Sequence, residues 1–437
     1  MLYLSKQFQR SEIFTAIWAM VAAFGTYFCM YAFRKPFNSG VYEGLFAFGL
    51  EYKAVLIIAQ VLGYMVSKFL GIKVISELQP QNRRKLIIAL ILVAEVSLVL
   101  FGLVPHPYNF VFLFFNGLPL GMVWGIIFSY LEGRRFTEML GMGLSISLIV
   151  SSGILKTVYF NLHDWLPAVS EFWMPALVGL AFLPAFFLFV WMLSVIPEPT
   201  ETDKLLRSER LPMTVSDKRK VMQEIGLGVT GLVLIYSLLT TMRDFRDNFS
   251  VEIWREIYPT RTNAVFSTTE MIAGLVVLVG VGCLSMIRNN IRGFWSTLWL
   301  IAAGLLMCGG STLLFQFKLL PPFGWMMLSG MGLFLAYVPI QVAVFERIIA
   351  LFPIRANAGY FVYLCDATGY LGSVGLILYK EFFMQQTQWA TVLMHFSYIM
   401  AAASLLLLVF IAVYFNRKLG VNGPVTKQIE KLNLLNP

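Results

Sequence analysis

The stretch Tyr27-Phe-Cys-Met-Tyr-Ala-Phe-Arg34-Lys35-Pro-Phe37 closes the first long apolar segment of the chain and ends it with two adjacent cations. Charge at the edge of a bilayer core is costly unless it is solvated or paired. On a helix, Tyr27, Tyr31 and Arg34 share one face, while Lys35 points about 100° away. The stretch predicts either a cavity-lining stripe that ends in an anion site or an interfacial belt with snorkelling cations.

The composition of the whole chain is that of a membrane protein. Of 437 residues, 58% are hydrophobic and 13% are charged, whereas soluble domains contain about 25% charged residues. The apolar runs are continuous and long enough for membrane-spanning helices, which need about 20 residues. The sequence therefore predicts an all-α integral membrane protein.

Twelve apolar segments follow one another, with one long polar stretch in the middle. Their approximate ranges are 12–37, 52–76, 86–105, 109–131, 136–160, 173–196, 226–250, 264–287, 294–316, 323–346, 357–380 and 391–415. This order predicts an N-terminal six-helix bundle at 1–197, a cytoplasmic linker at 198–225 and a C-terminal six-helix bundle with a short cytoplasmic tail at 226–437.

The loop charges predict the orientation. With the N-terminus inside, the cytoplasmic loops and the linker hold most of the loop Lys and Arg, as the positive-inside rule requires. We expect a multi-pass protein of the plasma or inner membrane, with both termini in the cytoplasm.

The two halves show signs of an internal repeat. Arg34 near the end of segment 1 is echoed by Arg243 near the end of segment 7, and the Glu-Arg ends of segments 4 and 10 also correspond. Two pseudo-symmetric six-helix bundles are typical of secondary transporters. We interpret the Glu-Arg ends as a cytoplasmic gate of ion pairs, formed by Glu132, Arg134, Glu346 and Arg347.

Further cations lie inside the apolar segments. Lys68 is too deep in segment 2 to snorkel comfortably, and Tyr64 lies one turn before it on the same face. Lys156 lies toward the outer end of segment 5, where snorkelling is an equal alternative. Arg243 either faces Arg34 across the symmetry axis or belongs to a charged outer loop. We expect Arg246 to pair with one of its neighbouring aspartates.

The embedded acids are Glu95, Glu270 and Asp366. Each is predicted to be a proton-coupling carboxylate or a charge partner for a cavity cation, and the partner role is favoured because cations outnumber acids. This excess of positive charge argues against a cavity for cationic substrates.

Several motifs of enzymes are missing from the sequence. It has no Gly-x-x-x-x-Gly-Lys-Ser/Thr phosphate loop, no CxxC pair and no clustered histidines. We therefore expect a protein that is not an enzyme, with no cofactor, no metal site and no nucleic-acid partner.

The patterns Tyr27-x3-Tyr31-x2-Arg34-Lys35-x-Phe37 and Gly63-Tyr64-x3-Lys68-Phe69-x-Gly71 resemble the organophosphate:phosphate antiporter family of the major facilitator superfamily. Pro36 departs from the family's asparagine, and a helix 5 histidine of the family has no clear match, although Lys156 lies in that region. The resemblance implies a major facilitator fold and a phosphate-binding site. The resemblance implies that the substrate-binding residues are Arg34, Arg243, Lys35, Lys68, Tyr27, Tyr31 and Tyr64. We add Lys156 to this set as a further candidate because of its place in segment 5.

These patterns together predict a transporter of an organic anion, most simply a phosphorylated small molecule, working by alternating access with phosphate exchange or proton coupling. One alternative is a proton-coupled importer of a carboxylate that uses Glu95 or Asp366. Another is a membrane sensor that binds its ligand without moving it. The expected partners are the anionic substrate and the lipid bilayer, and the expected state is a monomer.

Overall fold

A computed structural model describes residues 8, 11–76, 78–131, 137–197, 215–287, 289–352, 354, 356, 358–384 and 387–422. Within these ranges the chain is almost entirely helical. The α-helices are α1 Glu12–Ala32, α2 Tyr52–Ser76, α3 Arg83–Leu103, α4 Phe110–Leu131, α5 Thr137–Trp165, α6 Met174–Ser194, α7 Val215–Asn248, α8 Ser250–Ile257, α9 Ala264–Ser285, α10 Asn290–Gln316, α11 Pro322–Pro339, α12 Phe345–Leu351, α13 Ala358–Phe383 and α14 Trp389–Asn422.

Twelve helical stretches in the described residues are long and apolar enough to cross a membrane. At a rise of about 1.5 Å per residue, about 20 residues span the hydrocarbon core. The prediction of an all-α protein with twelve membrane-spanning helices is confirmed. A two-stranded antiparallel hairpin, β1 Phe46–Ala47 and β2 Leu50–Glu51, lies in the connection between the first two helices.

Helix α1 ends earlier than predicted. It begins after Ser11, whose hydroxyl accepts a hydrogen bond from the amide of Phe14, and it ends at Ala32. Pro36 has no amide hydrogen and restricts the residue before it, so the chain passes into a 3-10 turn at Pro36–Ser39. Arg34 thus lies beyond the helix, although its amide still bonds to the carbonyl of Tyr31.

Two other helices differ from the apolar pattern. Helix α7 begins at Val215, inside the segment predicted as a linker, and residues 198–214 lie outside the described part of the chain. The span that begins with α11 is interrupted after Pro339 by a π-helical turn, Ile340–Val344, before α12 continues it. The missing amide of a proline removes a helical hydrogen bond, which accounts for an irregular turn at this position.

Close contacts divide the chain into two compact units. The first unit contains Met1–Ser208, Asp244–Leu278 and Val374–Val392. The second contains Glu209–Arg243, Val279–Ser373 and Leu393–Pro437. These units do not coincide with the predicted six-helix halves, and the boundaries of those halves stay a prediction.

Glycines bring α2 and α4 together inside the first unit. A Cβ atom at Gly63 would lie 2.1 Å from the carbonyl oxygen of Phe114, and one at Gly117 would lie 2.2 Å from that of Gln60. Small residues allow such approach between membrane helices. The close contact therefore sets the position of the α2 side chains relative to α4.

We expect Gly117→Ala to lower the melting temperature of the purified protein in detergent. The added methyl group meets backbone, which cannot rotate away, and overpacking of this kind costs about 1–3 kcal/mol. The matched control is Gly310→Ala in α10, where a Cβ atom meets nothing within 4 Å. Equal melting temperatures for the two variants would show that the α2–α4 contact is not tight.

Candidate functional site

Two buried cations of the first unit contact the same tyrosine ring. The guanidinium carbon of Arg34 lies 3.9 Å from the ring centre of Tyr64, and the Nζ atom of Lys68 lies 5.4 Å from it. Arg34 also lies 5.7 Å from the ring centre of Tyr31. The two cations are only 5% and 7% exposed, respectively. We call these residues, with Trp124, the Arg34 cluster.

The position of Arg34 is fixed by buried amides that sequence reasoning missed. The side chain of Gln60 donates to the backbone carbonyl of Arg34 at 2.8 Å and to the side chain of Asn116 at 2.7 Å. Asn116 in turn donates to the carbonyls of Phe33 and Ala94 at 2.9 Å and 3.0 Å. These bonds join the end of α1 to α2, α3 and α4. The sequence did contain a signal for these contacts, because Gln60 and Asn116 are isolated side-chain amides within otherwise apolar segments.

Further aromatic contacts extend the Arg34 cluster. Tyr27 and Tyr31 meet edge to face at 5.3 Å, as expected for neighbours on one helix face. Trp124, which the sequence analysis did not single out, lies 5.9 Å from Lys68 Nζ and stacks on Phe128 at 5.0 Å. Electron-rich ring faces attract cations, so the rings hold the charged groups in place.

Lys35 and Lys156 share one carboxylate. Lys35 Nζ lies 2.5 Å from Asp247 Oδ2, and Lys156 Nζ lies 2.5 Å from Asp247 Oδ1. Ser152 also donates to Asp247, and Lys35 donates to Asn248 at 2.9 Å. We call this group the Asp247 cluster. Burial lowers the pKa of Lys35, and the charge of Asp247 acts in the opposite direction.

Further ion pairs lie in the same unit. Arg246, which we expected to pair with a neighbouring aspartate, lies 2.7 Å from Glu270. Glu270 thus lies within ion-pair distance of Arg246, and its role in the site stays a prediction. Among the described residues, the unit also contains the pairs Lys53–Glu252 at 2.5 Å, Lys380–Glu51 at 3.0 Å and Lys380–Glu381 at 3.1 Å.

Glu95 lies on α3 and is buried. Neither of its carboxylate oxygens has a hydrogen-bond partner among the described residues, and Oε2 lies 2.1 Å from the position that a Cβ atom at Gly179 would take. Glu95 thus faces α6. Among the described residues, the Glu95 carboxylate forms no hydrogen bond with the cations that the sequence analysis named. Its coupling role stays a prediction.

The second unit holds Arg243 in a network of tyrosines. Arg243 Nη1 donates to the hydroxyl of Tyr337, and its guanidinium carbon lies 4.7 Å from that ring centre. The Tyr337 hydroxyl lies 2.6 Å from that of Tyr236, which donates to Asp366 Oδ1 at 2.9 Å. Sequence reasoning found Arg243 and Asp366 but neither tyrosine. Arg34 and Arg243 belong to different units, so their action on one anion stays a prediction.

The predicted cytoplasmic gate is described only in part. Glu132 and Arg134 lie outside the described residues. Glu346 and Arg347 lie on α12, and Arg347 donates to the side chain of Asn290 at 2.9 Å. The gate role of all four residues stays a prediction.

Three solved transporter structures resemble this fold, each over 92% of the present chain. The nucleoside transporter NupG gives a TM-score of 0.59 at 13% identity, with 99% of that chain covered. The D-xylose-proton symporter gives 0.56 at 14% identity, with 97% covered. The POT family transporter PepTSo gives 0.59 at 13% identity, with 98% covered. The protein therefore has the twelve-helix fold of major facilitator transporters.

A family model matches residues 36–418, so the chain belongs to that family, described as "Family of unknown function (DUF5690)". No curated protein matches the sequence. The finer resemblance to organophosphate:phosphate antiporters is not confirmed by these findings and stays a prediction.

Proposed function

We propose that the protein is a secondary active transporter of a small organic anion, most simply a phosphorylated one. The fold supports transport, because the similar structures are all transporters. They are a nucleoside transporter, a D-xylose-proton symporter and a transporter of the POT family. The observation that favours an anionic substrate is the Arg34 cluster, in which two buried cations lie against one ring.

Because Arg34 and Lys68 lie against the same ring, one small anion could contact both cations and gain two charge-assisted hydrogen bonds. The planar guanidinium of Arg34 suits phosphate in particular, since it can donate to two oxygens at once. Lys68 adds a second positive charge, and the tyrosine hydroxyls add donors for the remaining oxygens. The aromatic faces of Tyr64 and Trp124 offer a surface for the organic part of the substrate.

The Asp247 cluster gives Lys35 and Lys156 a second role in this proposal. Both lysines pair with the single carboxylate of Asp247 in this state, so a phosphate that reaches them must compete with that carboxylate. Competition of this kind would weaken the contacts that hold the α7 end against α5 and the turn after α1. Substrate binding and the opening of this cluster would then be coupled.

The remaining parts of the proposal follow from the sequence. Arg34 and Arg243 occupy corresponding positions in the predicted internal repeat. We therefore propose that both arginines bind the same substrate during alternating access. We place the protein in the plasma or inner membrane as a monomer, with both termini in the cytoplasm, because the loop cations favour that side.

Ligand-induced stabilisation of the purified protein tests the substrate class. We expect inorganic phosphate and a hexose phosphate to raise the melting temperature, while the unphosphorylated hexose does not. A ligand at one hundred times its Kd stabilises the folded state by about 2.7 kcal/mol. Stabilisation by succinate but by neither phosphate compound would contradict the proposal and favour a carboxylate substrate.

A further inference from the structure

The hairpin between α1 and α2 holds a phenylalanine in a backbone conformation that suits it poorly. Ala47 pairs with Leu50, so Phe48 and Gly49 form a two-residue loop, with φ angles of 57° and 77°. Positive φ at both loop residues is the pattern of a type I′ turn, which favours asparagine followed by glycine. A bulky side chain with positive φ is costly. The turn itself thus gives no reason for a phenylalanine at position 48.

The phenylalanine rings of the hairpin point away from the protein interior. Phe48 is 73% exposed and Phe46 is 62% exposed, whereas Ala47 and Leu50 are buried. The Phe48 ring meets that of Phe110 edge to face at 5.4 Å, and this contact leaves most of the Phe48 surface uncovered. Two large apolar side chains are therefore presented to something outside the fold.

The position of the hairpin in the chain places these rings where the helices enter the membrane. Strand β2 ends at Glu51, and α2, which is long and apolar enough to span the membrane, begins at the next residue. Phe110, whose ring Phe48 contacts, is the first residue of α4, another such helix. Aromatic residues form belts at this level of membrane proteins, and phenylalanine is among the residues that bury in the headgroup layer.

The exposed apolar surface of α4 is continuous with the hairpin. Val111 and Phe115 lie one turn apart on one face of α4, and both are exposed. Tyr108, just before the helix, is also exposed. In a helix that spans the membrane, an exposed apolar face contacts lipid. Because Phe110 joins Phe48 to the start of this helix, the hairpin extends the lipid-facing surface to the headgroup layer.

The charges of the connection favour lipid contact through apolar groups. Residues 36–52 include Glu43 and Glu51 but no lysine, arginine or histidine. Glu51 is held by the protein, since Lys380 donates to its carboxylate at 3.0 Å and its amide donates to Glu381 at 2.9 Å. Segments that recognise anionic lipids are rich in lysine and arginine. The hydrophobic effect is thus the force that would draw this hairpin to lipid.

We propose that the β1–β2 hairpin is a membrane-interface anchor, which inserts the rings of Phe46 and Phe48 into the lipid headgroup layer beside α4. Burial of the two rings in lipid offsets the cost of the turn at Phe48. The bonds of Glu51 join the hairpin to the end of α13, so the anchor also holds that helix end at the membrane surface. The anchor does not depend on the identity of the substrate.

The test measures the depth of a nitroxide label on the full protein in nanodiscs of a zwitterionic phospholipid. The background variant is Cys283→Ser, because Cys283 is exposed while the other three cysteines are buried. Collisions of the label with oxygen report lipid, where oxygen concentrates, and collisions with a water-soluble nickel chelate report the aqueous phase. Reference labels are attached to Glu43→Cys, in the same connection, and to Val111→Cys, on the exposed face of α4.

Labels on Phe48→Cys and, separately, on Phe46→Cys are expected to collide with the nickel chelate at least about tenfold less often than the label at position 43. This factor corresponds to about 1.4 kcal/mol, which is less than the full burial of one phenylalanine provides. Oxygen collisions should approach those of the label at position 111. The variant labelled at position 46 keeps the Phe48 ring, and adding Phe48→Ser to it should restore collisions with nickel.

The lipid composition tests the apolar character of the contact. Nanodiscs that contain an anionic phospholipid should give the same collision rates, because residues 36–52 hold no basic side chain. Shielding from nickel only in the anionic nanodiscs would contradict insertion by apolar groups.

Two further results would overturn the proposal. Nickel collisions at positions 46 and 48 that equal those at position 43 would place the hairpin in water. Shielding from both reagents would instead mean that protein covers the rings, and spin–spin broadening between labels would then identify a second copy of this chain as the occupant.

Discussion

Replacing Arg34 with lysine is expected to reduce the transport of a hexose phosphate by about ten- to one hundredfold. Lysine keeps the positive charge but loses the planar fork and the close contact with the Tyr64 ring. One hydrogen bond to a charged group contributes about 1.5–3 kcal/mol, and about 1.4 kcal/mol corresponds to a factor of ten. The effect is measured as the initial rate of uptake into proteoliposomes.

The control for this change is Arg292→Lys, an exposed arginine near the start of α10. It should leave the rate unchanged. Wild-type transport by the Arg34→Lys variant would contradict a bidentate contact at this residue. Arg243→Lys is measured beside it, because a loss in only one of the two variants would refute their joint action on the substrate.

Replacing Asp247 with asparagine is expected to cause the largest loss of stability. It leaves Lys35 and Lys156 buried without the carboxylate that they share at 2.5 Å. Removing one partner of a buried ion pair typically costs about 3–5 kcal/mol. The measurement is the free energy of unfolding in mixed detergent micelles, with the melting temperature as a second readout.

Glu43→Gln serves as the control for the loss of a carboxylate, since Glu43 is exposed in the connection after α1. It should unfold like the wild type. The double variant Asp247→Asn with Lys156→Met is expected to recover part of the stability, because one stranded charge is removed. Unchanged stability in the single variant would show that the lysines do not depend on Asp247.

The number of membrane-spanning helices and part of the site could be predicted because they depend on local patterns. Twelve spans follow from the length and polarity of each apolar segment. Tyr64 and Lys68 are neighbours on one helix, so their spacing was enough to place them together. The contact between Arg34 and Tyr64 was not predicted, because the two residues lie on different segments and spacing says nothing of such contacts.

The ion-pair partners of the buried cations could not be predicted from the spacing of residues along the sequence. Asp247 lies more than two hundred residues from Lys35 in the chain, and periodicity says nothing of such distant contacts. Asn116 and Gln60 were passed over for the same reason, because a single amide in an apolar helix is specific only once its partners are known. The end of α1 was misplaced because the apolar composition continues past Pro36 while the helix does not.

The measurement that tests the central claim most directly is exchange in proteoliposomes loaded with unlabelled phosphate. The account predicts that labelled hexose phosphate enters in exchange for internal phosphate, that unlabelled phosphate outside competes with it, and that the free hexose neither enters nor competes. Stable binding of the hexose phosphate with no flux would contradict transport and identify a sensor. Uptake of the free hexose at the same rate would contradict an anion site at Arg34.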